Sequence, residues 1–169
     1  EMSRLFAKRS WQPYLFYFLV SLAILWSLLG PGYVLTLDMV FGPNQDFDAQ
    51  PFWFQGYIIP SSIPLYMLLA LISKLIPVWL LQRMILFLIF FLAALGAHRL
   101  LPLKGAGKYF TGLLYAVNPF TYARFLAGQW TILAAYALMP FAIKAFLGLL
   151  EKGGTKDAIK VAVFSTLVV

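Results

Sequence analysis

Residues 83–101 read RMILFLIFFLAALGAHRLL, and the run from Met84 to Ala97 carries no charge at all. An apolar stretch of about 18 or more residues with few charges is long enough to cross the hydrocarbon core of a bilayer as a helix. Similar runs lie on either side of it, at 13–30, 109–126 and 131–150. These runs do not alternate apolar with polar residues, as strands of a barrel would. Only helices and closed barrels satisfy their backbone in lipid. The chain therefore reads as an all-α, polytopic transmembrane protein.

Composition agrees. Of the 169 residues, 62% are hydrophobic and 11% charged, against roughly 25% charged in ordinary soluble domains. A chain of this length cannot hide so much apolar surface in one soluble core. The net charge of +7 would suggest nucleic acid in a soluble protein. Here the basic residues cluster between apolar runs, where they set topology, so a lipid bilayer rather than nucleic acid is the expected partner. With no cysteine, disulfide and thiol chemistry is out of reach.

Arg4, Lys8 and Arg9 precede the first run, which ends in Gly30-Pro31-Gly32 without a small-residue cleavage pattern. It is expected to stay as an uncleaved first span, with the N-terminus cytoplasmic and residues 31–82 forming an outer loop. Within that loop, Pro64–Leu81 is apolar but carries Lys74 and Pro77. If it crossed, Arg99, Lys104, Lys108, Lys152, Lys156 and Lys160 would all move outside and the positive-inside bias would collapse. It is expected to be an interfacial or re-entrant helix. Spans at 83–101, 109–126 and 131–150 follow, joined by a basic turn at Pro102–Lys108 and a tight outer turn at Gly128-Gln129-Trp130. Lys144 is expected to snorkel inward, and Trp53, Trp79 and Trp130 to form an outer aromatic belt. A fifth span starts near Ala158 and reaches only Val169. A span needs about 20 residues, so the protein is expected to continue. The expectation is about five spans in the cell membrane.

Three of the six acidic residues, Asp38, Asp46 and Asp48, fall in the outer loop with no Lys or Arg between them. Asp38 follows the first span closely and is flanked by Leu37 and Met39. A carboxylate near lipid is costly unless it is paired, metal-bound or in a wet cavity. Asp46-Phe47-Asp48 is an acidic pair able to chelate Mg²⁺ or Mn²⁺, and such a metal could neutralise a phosphate leaving group. The plainer alternative is a solvated loop with turn-capping Asp side chains. No motif for nucleotide binding, zinc or a serine nucleophile is present.

A second informative stretch runs from Gly112 to Phe125. Pro119 is expected to kink the span, and Tyr115, Asn118 and Tyr122 fall on one helical face by spacing. Asn118 could serve a substrate or simply cap a helix or bridge two of them. Arg124, near the outer end, could bind a phosphate with its two-pronged guanidinium or simply snorkel. Lys74 and Arg83 are further outer-face cations. His98 is expected at the cytoplasmic side beside Arg99, without a catalytic role.

One span, an acidic outer loop with interfacial helices and then compact hairpins resembles the N-terminal module of GT-C superfamily glycosyltransferases, which use polyprenyl-phosphate donors. The segments Leu114–Phe120, Gly128-Gln129-Trp130 and Ala135–Pro140 are similar to a pattern in prokaryotic membrane proteins grouped with it, among them arabinofuranosyltransferase-like and YfhO-like proteins. The resemblance implies a lipid-linked sugar donor, an acceptor at the extracytoplasmic face and a catalytic carboxylate at Asp38. From the residues themselves, Asp46 and Asp48 are expected as alternates or metal ligands, and Arg124, Asn118, Gln129, Lys74 and Arg83 as the groups that meet substrate. The alternative from another class is a non-enzymatic membrane subunit or lipid-glycan transporter using the same outer cavity.

Overall fold

A computed structural model describes residues 11–39, 41–42 and 63–168. Among them the chain is helical, with no strand. Helix α1, Gln12–Leu25, has Pro13 in its first turn, where a missing N–H costs nothing, and is prolonged by a 3₁₀ turn, Trp26–Leu28. Helix α2 covers Ile63–Ser73, and α3 covers Val78–Leu100. The apolar stretch 64–81 is thus not one helix but α2, a turn and the start of α3. Pro77 is the reason: it caps α3 in an extended conformation (ψ 140°) and offers no N–H to continue α2. Eleven residues make α2 about 16 Å long, half of a bilayer core.

Two helices are long and apolar enough to cross a membrane, α3 and α6, the latter spanning Trp130–Lys152. Five unbroken spans are not what the described residues form. The stretch expected to cross over 109–126 is two helices, α4 (Ala106–Ala116) and α5 (Pro119–Ala127). The last helix, α7, runs from Thr155 to Val168.

Pro119 does more than kink. Asn118 turns extended (φ −147°, ψ 168°) and starts a new helix through a reciprocal capping box with Thr121. The last four carbonyls of α4 have no partner inside that helix, yet each is met. Leu113 O accepts from the Val117 N–H, and Leu114 O and Tyr115 O accept from Asn118 Nδ2 at 3.2 and 2.8 Å. Ala116 O accepts from the Thr121 hydroxyl at 3.0 Å. A helix end whose last carbonyls are all paired is one an apolar environment tolerates.

Helix α3 is the centre of the core. Ala93, Ala94, Gly96 and Ala97 make its second half narrow and buried, so α4 and α6 approach its backbone closely. A Cβ on Gly112 of α4 would lie 2.7 Å from Ala94 O and collide with the Tyr17 ring; one on Gly96 would lie 2.8 Å from Phe141. Tyr17 of α1 is wholly buried here, its hydroxyl 2.9 Å from His98 Nδ1. His98, expected beside Arg99 without a catalytic role, is a buried packing residue. Lys144, expected to snorkel, donates to the Arg99 carbonyl at 2.8 Å and so caps the C-terminus of α3.

Candidate functional site

The segment that follows α1 is held down by two neighbours on α3. Gln82, with no exposed surface, accepts from the Val34 N–H at 2.9 Å and donates to the Val34 carbonyl at 2.6 Å, as a neighbouring strand would. Arg83 donates to three carbonyls, Leu28 O at 2.8 Å, Trp79 O at 3.0 Å and Gly32 O, with its guanidinium 5.4 Å from the Trp79 ring centre. Leu28 O closes the 3₁₀ turn, where a cation is favourable on electrostatic grounds. Arg83, a candidate phosphate ligand by sequence, is committed to these carbonyls.

Four residues on, the same segment reaches the turn between α5 and α6. The Asp38 N–H donates to the Ala127 carbonyl at 3.0 Å. Next to it Gly128 closes α5 in the left-handed region (φ 75°), a conformation that costs other residues about 1–2 kcal/mol. A Cβ there would sit 2.7 Å from the Met39 amide and 2.0 Å from Thr36 Oγ1. Glycine is thus required twice over, by its backbone angle and by the close approach of the loop.

That contact gathers three of the expected site residues at one corner. Asp38 is exposed. Arg124, one turn before Gly128, donates through Nη1 to Gln129 Oε1 and lies 5.6 Å over the Phe120 ring. The Arg124 carbonyl accepts from the Gln129 N–H at 3.0 Å. The Gln129 side chain therefore sets the direction of the guanidinium, and a fixed fork loses less entropy on meeting a phosphate.

The remaining candidates lie elsewhere. Asn118 is at the other end of α5, about 13 Å away along the helix axis, and its side chain is used in the capping box, in the α4 carbonyls and on Tyr136 Oη at 3.1 Å. Tyr115 joins it there, but Tyr122, expected on the same face, points away and is exposed, because the helix restarts between them. Lys74 is exposed in the turn after α2. Asp46 and Asp48 lie outside the described residues. No group of three or more metal-binding side chains occurs among the described residues. Asp38 alone is too few ligands for Mg²⁺ or Mn²⁺, which take about six oxygens.

Three residues at work here escape a sequence reading. Gln82 is a lone polar residue inside an apolar run, the one available hint that it is buried and paired. Tyr136 stacks on Tyr115 (ring centres 4.2 Å apart, 7° between planes), and each hydroxyl donates to the other's carbonyl at 3.0 Å. Trp130, expected in an outer belt, is only 6% exposed and packs edge-on against Phe41. It also lines a groove of about 270 Å³ between α2, α3 and α6, with Leu65, Ile72, Met84, Ile85 and Leu138 among its walls; every lining residue is apolar. The groove therefore passes the residue next to Gln129. No family model, curated protein or solved structure matches the chain.

Proposed function

We propose that this chain is the membrane-embedded part of a GT-C-like enzyme that moves a sugar from a lipid-phosphate donor to an acceptor at the extracytoplasmic face of the cell membrane. The observation that carries the reading is the Asp38–Ala127 backbone bond, which brings the Asp38 backbone to the turn that carries Arg124 and Gln129, whose next residue, Trp130, lines the apolar groove. A hydrocarbon chain suits a groove without one polar lining atom, at about 0.8 kcal/mol per buried methylene. Arg124, aimed by Gln129, meets the phosphate. An acceptor hydroxyl attacks the anomeric carbon, the bond from that carbon to the phosphate oxygen breaks, and the lipid phosphate leaves with the electron pair. Asp38 takes the hydroxyl proton. A divalent ion held with Asp46 and Asp48 would add charge neutralisation at the phosphate.

Orientation follows from charge. Arg99, Lys104, Lys108, Lys144, Lys156 and Lys160 collect toward the end opposite the corner, which makes that end cytoplasmic by the positive-inside rule. The satisfied break at Asn118 lets α4 and α5 together serve as one crossing. With α1, α3, α6 and α7 this gives the five spans.

The test is donor binding and sugar transfer by the full-length protein in proteoliposomes, using a polyprenyl-phosphate sugar. Arg124→Lys keeps the charge and removes the fork, so donor KM should rise about tenfold or more, the worth of one charge-assisted hydrogen bond of about 1.5–3 kcal/mol. Unchanged KM would return Arg124 to a purely structural role. Binding without transfer by the unaltered protein would make it a carrier rather than an enzyme.

A further inference from the structure

We propose that the end of the molecule opposite the corner carries a binding site for one anionic glycerophospholipid, centred on Arg99. The proposal rests on the membrane-embedded reading but not on the sugar-transfer chemistry.

Arg99 is exposed at the last turn of α3. Its guanidinium lies 4.8 Å over the Tyr14 ring and donates to the Tyr14 hydroxyl, so it is fixed in direction rather than trailing into solvent. The Arg99 carbonyl is taken by Lys144, which brings a second positive charge to the same helix end. Lys104 follows in the exposed segment after α3. Among the described residues no carboxylate pairs with Arg99, Lys104 or Lys144; Asp157 pairs with Lys160. Three cations thus stand at or just after this helix end, none of them ion-paired among the described residues.

Below them the surface is hydrocarbon. Tyr14 and Phe18 stand one turn apart on α1 and are both exposed. Phe18 meets Phe87 edge-to-face at 5.2 Å, and Phe87 stacks on Phe91 at 5.9 Å. The seam between α1 and α3 is therefore an aromatic wall with a fixed guanidinium at its end. The partner that matches both parts is amphipathic: a phosphodiester for Arg99, an acyl chain for the wall. Net negative charge is required as well, because a zwitterionic headgroup brings its own ammonium to a site that already holds three cations. A soluble anion would meet the cations and leave the wall uncovered.

The probe is the full-length protein reconstituted into vesicles of phosphatidylcholine alone or with phosphatidylglycerol, followed by gentle extraction and counting of retained lipids by native mass spectrometry. Phosphatidylglycerol should be retained about tenfold or more over phosphatidylcholine, because each surface cation favours an anionic lipid by roughly fivefold. The preference should shrink as salt rises. Arg99→Gln should remove most of it. Lys104→Gln lies in an irregular segment where folding is not at stake and should lower it about fivefold, while Lys74→Gln, at the far end, should leave it intact. Equal retention of both lipids, or an equal loss in Lys74→Gln, overturns the site while leaving the membrane reading standing. Failure of the protein to stay with either vesicle removes the membrane reading and the site together.

Discussion

The break at Asn118 and the corner at Gly128 stand at opposite ends of α5, and both interrupt apolar helices with polar groups. They differ in what those groups do. At the break every polar side chain closes on the fold itself: Asn118 on four partners, Thr121 on Ala116, Tyr115 and Tyr136 on each other. At the corner backbone bonds hold the segment in place, yet Asp38 is exposed and Arg124 is braced by Gln129. Polar residues in an apolar protein are thus of two kinds. Those that complete hydrogen bonds left open by the chain are structural; those held in place by a satisfied backbone and pointed elsewhere are the candidates for chemistry.

The largest expected effect is at the corner. Gly128→Ala must leave the left-handed region or push the Met39 backbone away, at a combined cost of about 3 kcal/mol. Thermal or denaturant unfolding in detergent measures it. Transfer should fall further than the folded fraction does, because Asp38 loses its register on Ala127. Transfer that tracks only the folded fraction would mean that this register does not matter.

Asn118→Ala should show the reverse pattern. It removes an N-cap and the donor to two α4 carbonyls, about 2 kcal/mol in all, with transfer per folded molecule unchanged. Loss of transfer at unaltered stability would move Asn118 from the break to the site. The smallest effect is a pure readout of geometry. Leu37→Cys, on a side chain 86% exposed beside Asp38, and Lys104→Cys should each leave stability untouched and label from opposite sides of the membrane. Labelling from one side would place the corner and the basic end on the same face.

Much of this arrangement is legible in the sequence, and the misses share a cause. Apolar runs at 83–101 and 131–150 predict α3 and α6 closely, since length and hydropathy alone decide them. Pro119 announces an interruption, but whether it bends or ends the helix depends on Thr121 and Tyr136, and Tyr136 lies on another helix. Pro77 similarly divides 64–81, because it caps α3 rather than merely weakening α2. At the site, Arg124 and Gln129 are five residues apart across a glycine, so their pairing is local and foreseeable. The meeting of Asp38 with Ala127 is a long-range backbone contact with no signature in either segment. The burial of His98 and Trp130 also depends on partners distant in sequence, Tyr17 and Phe41.

The most direct measurement is sugar transfer by the full-length protein carrying Asp38→Asn, with Asp46→Asn and Asp48→Asn beside it. The substitution keeps the side-chain shape and the Ala127 backbone bond while removing the base. The protein should fold and bind donor as before, and transfer should drop by about 10²–10⁴. Full activity in Asp38→Asn, with activity lost instead in Asp46→Asn or Asp48→Asn, would contradict the assignment of the corner; full activity in all three would contradict the enzyme.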